Sequence, residues 1–281
     1  MSQPTYEDLG KACKDFFNKG YHLNIFKLTA KKPRAYLDID TTITCTHKFE
    51  DQTSVCEYEN KYQYPQWGIT TSAKIDTTNL LSWKVDICDK IARGLKLSVD
   101  GQFNLDSAAK LAKVNATYKV DQATMDLGFQ GGDESNLLVN GSVVGGYKGF
   151  LGGYQFSVDT NDRTMKKNNV AFGYCGNGWN IHANMDNAET ISSIVHYRMK
   201  NNMEVALNGS YTSGDDSKTR YGLGFKYLAN PCTAFKAKID NTKTVTLGCE
   251  MKVTDAACLT LCAECDGSNA GKVGCALEFG Q

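Results

Sequence analysis

The sequence predicts an all-β fold, a transmembrane β-barrel of about nineteen strands preceded by one amphipathic helix. Three observations point there. Apolar and polar residues alternate one for one in segment after segment. The polar face of those segments is charged nearly throughout. No run approaches the roughly 18 apolar residues of a membrane helix. Leu95–Asn104 shows the pattern: Leu95, Leu97, Val99 and Phe103 fall on one side, and Lys96, Ser98, Asp100, Gln102 and Asn104 on the other. Successive side chains of a strand point to opposite faces, so such a segment has one oily and one wet face. Alternation alone also fits a soluble sandwich, in which two oily faces meet each other.

The first twenty residues differ from the rest. Tyr6, Leu9, Cys13, Phe16 and Phe17 recur at three- and four-residue steps among Glu7, Asp8, Lys11, Lys14, Asp15 and Lys19. That spacing predicts an amphipathic helix, with Thr5 and Asp8 as its cap and Gly20 as stop and hinge. We assign residues 1–22 to helix and hinge and 23–281 to the barrel.

Strand patterns then follow one another. Tyr36–Thr44, Ala112–Lys119, Ala123–Gln130, Phe150–Asp159 and Trp179–Asp186 each divide into an apolar and a polar set. The alternation continues through Val205, Tyr221, Phe235, Val245 and Leu259 to Val273–Phe279. The breaks are turn chemistry: Gly131-Gly132-Asp133, Asn161-Asp162, Gly176-Asn177-Gly178, Asn187, Asn201-Asn202, Ser213-Gly214-Asp215-Asp216, Asn230-Pro231, Asn241 and Asp266-Gly267-Ser268-Asn269. Aromatics close many segments (Tyr36, Trp67, Phe103, Tyr118, Phe150, Trp179, Tyr211, Tyr227, Phe279), as membrane-interface girdles require.

Charge on the second face does not by itself separate barrel from sandwich, whose outer faces are also wet; size separates them, since only a wide barrel holds water inside. Lys96, Asp100, Lys113, Lys119, Asp126, Asp186, Glu204, Arg220, Lys226, Lys236, Lys238, Asp240, Glu250 and Glu278 all fall there, so that face is wet. In a closed sheet of this many strands, a wet inner face encloses water. Four prolines and 26 glycines in 281 residues suit long paired strands and tight turns.

Formal net charge is zero, from 31 basic and 31 acidic residues, so no basic surplus points to a nucleic-acid partner. The start, MSQPTYEDLGKACKDF, carries no secretory core, and the 11 cysteines follow no framework spacing. The thiols are read as mostly reduced. No metal site is expected. His22, His47, His182 and His196 lie far apart in sequence, and Cys258 and Cys262 face away from Cys265 in a strand. No P-loop, GxSxG or His–Cys constellation appears, so neither an enzyme nor a cofactor is expected.

The sequence resembles the mitochondrial voltage-dependent anion channel family, the eukaryotic porins. The likeness runs from Pro4-Thr5-Tyr6-x-Asp8-Leu9-Gly10-Lys11 and Asn18-Lys19-Gly20-Tyr21 through Arg93-Gly94-Leu95-Lys96-Leu97. It continues with Gly146-Tyr147-x-Gly149-Phe150-Leu151-x-Gly153-Tyr154-Gln155 and Asn168-Asn169-x-Ala171-x-Gly173-Tyr174. It ends with Thr219-Arg220-Tyr221-Gly222 and Leu277-Glu278-Phe279. The resemblance implies nineteen strands, the first and last parallel, so the count above is not independent of it. It also implies a helix inside the lumen, location in the mitochondrial outer membrane, and voltage-dependent passage of ATP, ADP, phosphate and small anions. Lys11, Lys14, Lys19, Lys96, Lys113, Lys119, Arg220, Lys226, Lys236 and Lys238 are then the permeant-contacting cations. Leu138 and Val144, which break a polar face, become candidates for the helix seat. Lys272, Gly274, Leu277 and Phe279 are similar to a terminal membrane-insertion signal. Membrane lipid, a homo-oligomer and docked hexokinase are the implied partners. Ala73 stands where many animal members carry a lipid-facing glutamate, which argues against the share of docking and calcium response that this carboxylate supplies. Two other readings compete, a soluble all-β ligand-binding protein and a barrel serving mainly as a docking platform.

Overall fold

Nineteen strands form one sheet, preceded by a single short helix. The computed structural model describes residues 3–32, 39–133, 135–200, 202–214, 218–266 and 269–280. Helix α1 spans Lys11–Asn18. The strands are β1 Ile25–Lys32, β2 Ile39–Lys48, β3 Thr53–Tyr64, β4 Ile69–Asp76, β5 Leu80–Cys88, β6 Leu95–Asn104, β7 Lys110–Lys119, β8 Ala123–Gly132, β9 Ser135–Tyr147 and β10 Phe150–Asp159. They continue as β11 Thr164–Gly176, β12 Trp179–Asp186, β13 Thr190–Lys200, β14 Met203–Thr212, β15 Arg220–Asn230, β16 Thr233–Asp240, β17 Thr244–Thr254, β18 Ala257–Asp266 and β19 Asn269–Phe279.

Neighbours in sequence pair antiparallel, as in β6 with β7 and β17 with β18. The exception closes the sheet: β1 pairs with β2 and, in parallel, with β19, matching Phe26 to Cys275 and Ala30 to Phe279. A closed sheet has no unpaired edge, so every strand can satisfy its backbone without water. Contacts divide the chain into two units. One comprises Met1–Asp8, Lys31–Ile43 and Val55–Val170; the other comprises Leu9–Ala30, Thr44–Ser54 and Ala171–Gln281.

Register keeps the two faces apart within each unit. In the first, Leu97, Ala116 and Leu127 share one row, and Ser98, Asn115 and Gly128 the next. In the second, Phe225, Ala237, Leu247 and Ala263 share a row beside Gly224, Lys238, Thr246 and Glu264. The apolar rows are the exposed ones: Leu207 is 54% exposed and Phe172 65%. Exposed apolar surface on this scale is unfit for water and suits lipid. Trp67, Tyr118, Phe150, Trp179, Tyr211, Tyr227 and Phe279 are exposed with it. The outward Asn60 accepts a hydrogen bond from Thr41 Oγ1 at 2.9 Å, which lowers the cost of an amide on that face. Ala73 lies outward and exposed, opposite Asn60 and Trp83.

The structure moves two boundaries. The helix is shorter than its periodicity suggests. Thr5 and Asp8 do bond, Oγ1 to carboxylate at 2.9 Å, but they close a turn before the helix. Gly10, in the left-handed region at φ 69°, ends that turn and is the true N-cap. The turn read at Gly131-Gly132-Asp133 begins only at Asp133, because β8 runs to Gly132. Nine of the 11 cysteines are free thiols, in line with a mostly reduced set, and Cys45 and Cys56 are disulfide-bonded. Tyr36 and part of the turns at Asn201, Asp215-Asp216 and Gly267-Ser268 lie outside the described residues.

Candidate functional site: helix seat and pore wall

The inward face of the second unit carries α1, which lies against β12 and β13. Its apolar stripe turns to the wall: Leu9, Cys13 and Phe17 are 1%, 2% and 8% exposed. The wall makes room through small residues. A Cβ on Gly224 would stand 2.6 Å from Phe16 and 3.0 Å from Phe17. The Phe16 ring sits 5.2 Å from that of His196, and the two helix phenyl rings meet edge to face at 5.5 Å. Cys13 Sγ donates to the Asn180 carbonyl oxygen at 3.4 Å. Burial holds the Cys13 thiol up at about 11, with a smaller push from Cys175, so it stays protonated as a donor.

Two lysines clamp the helix C-terminus. The last carbonyls of a helix lack partners within it and carry partial negative charge. Lys238 Nζ donates to the Phe17 carbonyl at 3.2 Å and lies 4.4 Å from the centre of the Tyr21 ring. Lys236 Nζ donates to the Lys19 carbonyl at 3.3 Å while paired with Glu250. Burial, then the Glu250 carboxylate, pushes the Tyr21 hydroxyl up to about 12. Gly20 follows at φ 83°, and a Cβ there would overlap the Glu250 carboxylate.

Beneath Phe16 lies a polar network. Glu204, 9% exposed, meets His196 Nε2 at 3.2 Å, Arg198 at 3.4 Å and Lys226 at 3.9 Å. The Asn180 amide nitrogen lies 3.2 Å from His196 Nδ1. An amide NH₂ can only donate, so this contact assigns the imidazole proton to Nε2, which donates to Glu204. His182, 2% exposed, lies against Gly10 and has neither ring nitrogen hydrogen-bonded among the described residues.

The inward face of the first unit holds a cavity of about 550 Å³. The N-terminal segment contributes Thr5, Glu7 and Asp8 to it, and Thr124 Oγ1 ties that segment down by donating to the Gln3 carbonyl at 2.7 Å. Six lysines line the cavity (84, 96, 113, 119, 166 and 167) against three carboxylates, Glu7, Asp8 and Asp126. Lys96 pairs with Asp86 at 3.1 Å, Lys84 with Asp100 at 3.4 Å and Lys166 with Asp162 at 3.8 Å. Lys113, Lys119 and Lys167 make no ion pair among the described residues. With the paired Asp86, Asp100 and Asp162 counted, lysines and carboxylates balance on this wall, and its unpaired ammonium groups are those of Lys113, Lys119 and Lys167.

A family model described as eukaryotic porin matches residues 3–274. The chain belongs to that family. It is a pore-forming protein of the mitochondrial outer membrane. The Xenopus laevis protein named non-selective voltage-gated ion channel VDAC2 is 34% identical over 279 residues, covering 99% of this chain and 97% of that one. The human non-selective voltage-gated ion channel VDAC1 is 32% identical over 282 residues, covering 98% of each. Among solved structures, a mutant Rh. blastica porin matches at 10% identity and a TM-score of 0.48, covering 90% of this chain and 94% of that one.

The predicted cations of this porin divide into two groups. Lys19, Lys96, Lys226, Lys236 and Lys238 are engaged by Asp15, Asp86, Glu204, Glu250 and the Phe17 carbonyl respectively. Lys113 and Lys119 face the cavity, while Lys11, Lys14 and Arg220 are exposed. In the last strand Lys272 pairs with Glu50 at 3.6 Å, and Gly274 leaves space that the His22 carbonyl occupies. Leu277 and Phe279 fall in the apolar row with Leu259 and Ala257.

The helix seat expected at Leu138 and Val144 is corrected. Leu138 lines the cavity, and Val144 is fully buried opposite Thr124, where the segment before the helix is bound. The helix itself needs room more than oil, and Gly224 supplies it. Two histidines far apart in sequence come onto adjacent strands. Asn180 is opposite His196, so His182 and His196 sit on neighbouring strands. The Glu204 network was not anticipated, although Arg198 and Glu204 flank an Asn201-Asn202 turn symmetrically in the sequence.

Gly224→Leu is expected to weaken helix seating by about 1–3 kcal/mol, the usual cost of overpacking. Limited trypsin digestion of the detergent-solubilised protein should then cut faster at Lys11, Lys14 and Lys19. Adding Phe16→Ala should restore protection by vacating the space; equal digestion of all three proteins would refute the packing role.

Proposed function

We propose that this porin is a voltage-gated, weakly anion-preferring diffusion path for ATP, ADP, phosphate and other small metabolites, and that it performs no bond chemistry. The observation that carries this reading is that Lys113, Lys119 and Lys167 face the cavity with no ion pair among the described residues. Uncompensated ammonium groups on a wet wall raise the local concentration of anions without holding them tightly. Lys113 and Lys119 are the principal permeant contacts. Lys11, Lys14 and Arg220 extend the path, and the engaged cations Lys19, Lys96, Lys226, Lys236 and Lys238 set its field. Voltage sensitivity follows from charge on a movable element. α1 with Lys19 carries three lysines and one aspartate, and a charge crossing the whole membrane field gains about 2.3 kcal/mol per 100 mV. Gly20 serves as hinge between residues 1–22 and the barrel 23–281. Lys272, Gly274, Leu277 and Phe279 serve as the insertion signal. Ala73 supplies no carboxylate to lipid, so no docking role that needs one is assigned. The exposed apolar rows weigh against a soluble ligand carrier.

Reversal potential in a KCl gradient across a planar bilayer tests the reading. Wild type should favour chloride slightly. Lys113→Glu with Lys119→Glu changes the cavity to four lysines against five carboxylates, so the potential should move toward potassium. An unchanged potential would remove this wall from the conduction path.

A further inference from the structure

Two free thiols lie close to the contact of helix and wall, Cys13 on α1 and Cys175 on β11. Cys13 is buried on α1, and its sulfur lies 3.4 Å from the Asn180 carbonyl oxygen. β11 and β12 are joined by two residues, Asn177 and Gly178, both left-handed at φ 51° and φ 81°. That turn pairs the residues flanking it, Gly176 with Trp179, and sets Cys175 beside Asn180 on the same face. Cys175 is an exposed free thiol, so a soluble oxidant reaches it. The electrostatic influence of Cys175 on Cys13 is the separate sign that the sulfurs are near neighbours.

We propose that Cys13 and Cys175 form a redox couple that bonds the helix to the barrel wall, with a small disulfide such as glutathione disulfide as oxidant. The Cys175 thiolate attacks one sulfur of the oxidant and releases one glutathione thiolate, leaving a mixed disulfide on Cys175. Cys13 then gives up its proton, attacks the Cys175 sulfur and expels the second glutathione thiolate. Two protein thiols are oxidised and one glutathione disulfide is reduced. The two thiol protons end on the two glutathione molecules. Because Cys13 titrates at about 11, the second step should speed up about tenfold per pH unit near neutrality. The reduced helix is held by side-chain packing and lysine clamps, which a field can overcome. The oxidised helix is tethered. This consequence rests on the voltage reading above, whereas bond formation does not.

Purified full-length protein in liposomes, treated with glutathione disulfide and digested without reductant, should yield one peptide joining Cys13 to Cys175. Cys175→Ser should abolish it. In planar bilayers the oxidised wild type should lose its voltage-dependent fall in conductance and regain it with dithiothreitol, while oxidised Cys175→Ser should retain it. Glutathione on Cys175 with no link to Cys13 would overturn the couple. A link that leaves the voltage response intact would overturn the tether. If the reduced protein shows no voltage response, the gating reading fails, and the peptide still decides whether the couple forms.

Discussion

Glu204→Ala should destabilise the barrel by about 3 kcal/mol, the lower end of the cost of breaking a buried ion pair from one side. Glu204 is the acceptor on which three donors converge, His196, Arg198 and Lys226. Arg198 is 61% exposed on its side chain and loses little when its partner goes, since water replaces the carboxylate. Lys226 is 26% exposed and His196 6%; Lys226 would lose its carboxylate, and His196 would lose the partner of Nε2 while keeping Asn180 at Nδ1. The cost should therefore follow burial. Arg198→Ala should change stability by under about 1 kcal/mol. Lys226→Met, which leaves His196 still bonded to Glu204, should fall between the two. Unfolding midpoints in urea with the protein in detergent micelles would rank the three variants. A Glu204→Ala protein as stable as wild type would show that the network is solvated. The same substitution loosens His196, on which Phe16 rests, so trypsin should also reach the helix faster.

How much of this was legible depends on the reach of each interaction. Leu95–Asn104, Phe150–Asp159 and Trp179–Asp186 are read from sequence with the bounds that β6, β10 and β12 show, because face alternation is a property of the segment itself. The separation of Cys258 and Cys262 from Cys265 holds for the same reason: Cys262 faces Gly274 and the pore, and Cys265 shares a row with Val245. The helix start was missed because periodicity registers side chains and is blind to backbone. Tyr6 and Leu9 keep the helical spacing, yet Gly10 adopts a conformation that no α-helix contains. Lys236 and Lys238 look like any inward cations in sequence. Only the closed sheet brings them to carbonyls more than two hundred residues earlier, at Lys19 and Phe17. Their engagement leaves fewer unpaired inward cations, whereas Lys113 and Lys119 on the first unit's wall make no ion pair among the described residues.

The assignment of the apolar rows to lipid makes the sharpest demand on single residues. Leu127 lies outward in the middle of β8, 45% exposed, between Ala116 and Gly141. Three residues along the same strand, Gln130 lines the cavity. Leu127→Lys should cost about 2–4 kcal/mol of folding stability in a bilayer, because an ammonium at mid-membrane finds neither water nor a counter-charge. Gln130→Lys should cost little, since the cavity is wet, and should raise chloride preference by one more wall cation. The two lysines carry equal charge on one strand and stand on opposite faces. Refolding yield and urea midpoints in liposomes should separate the two, and in detergent the gap should narrow because a micelle lets the lysine head reach water. Equal stability of the two variants in liposomes would mean that the oily row does not face acyl chains, and the inward row would then lose its claim to line a pore.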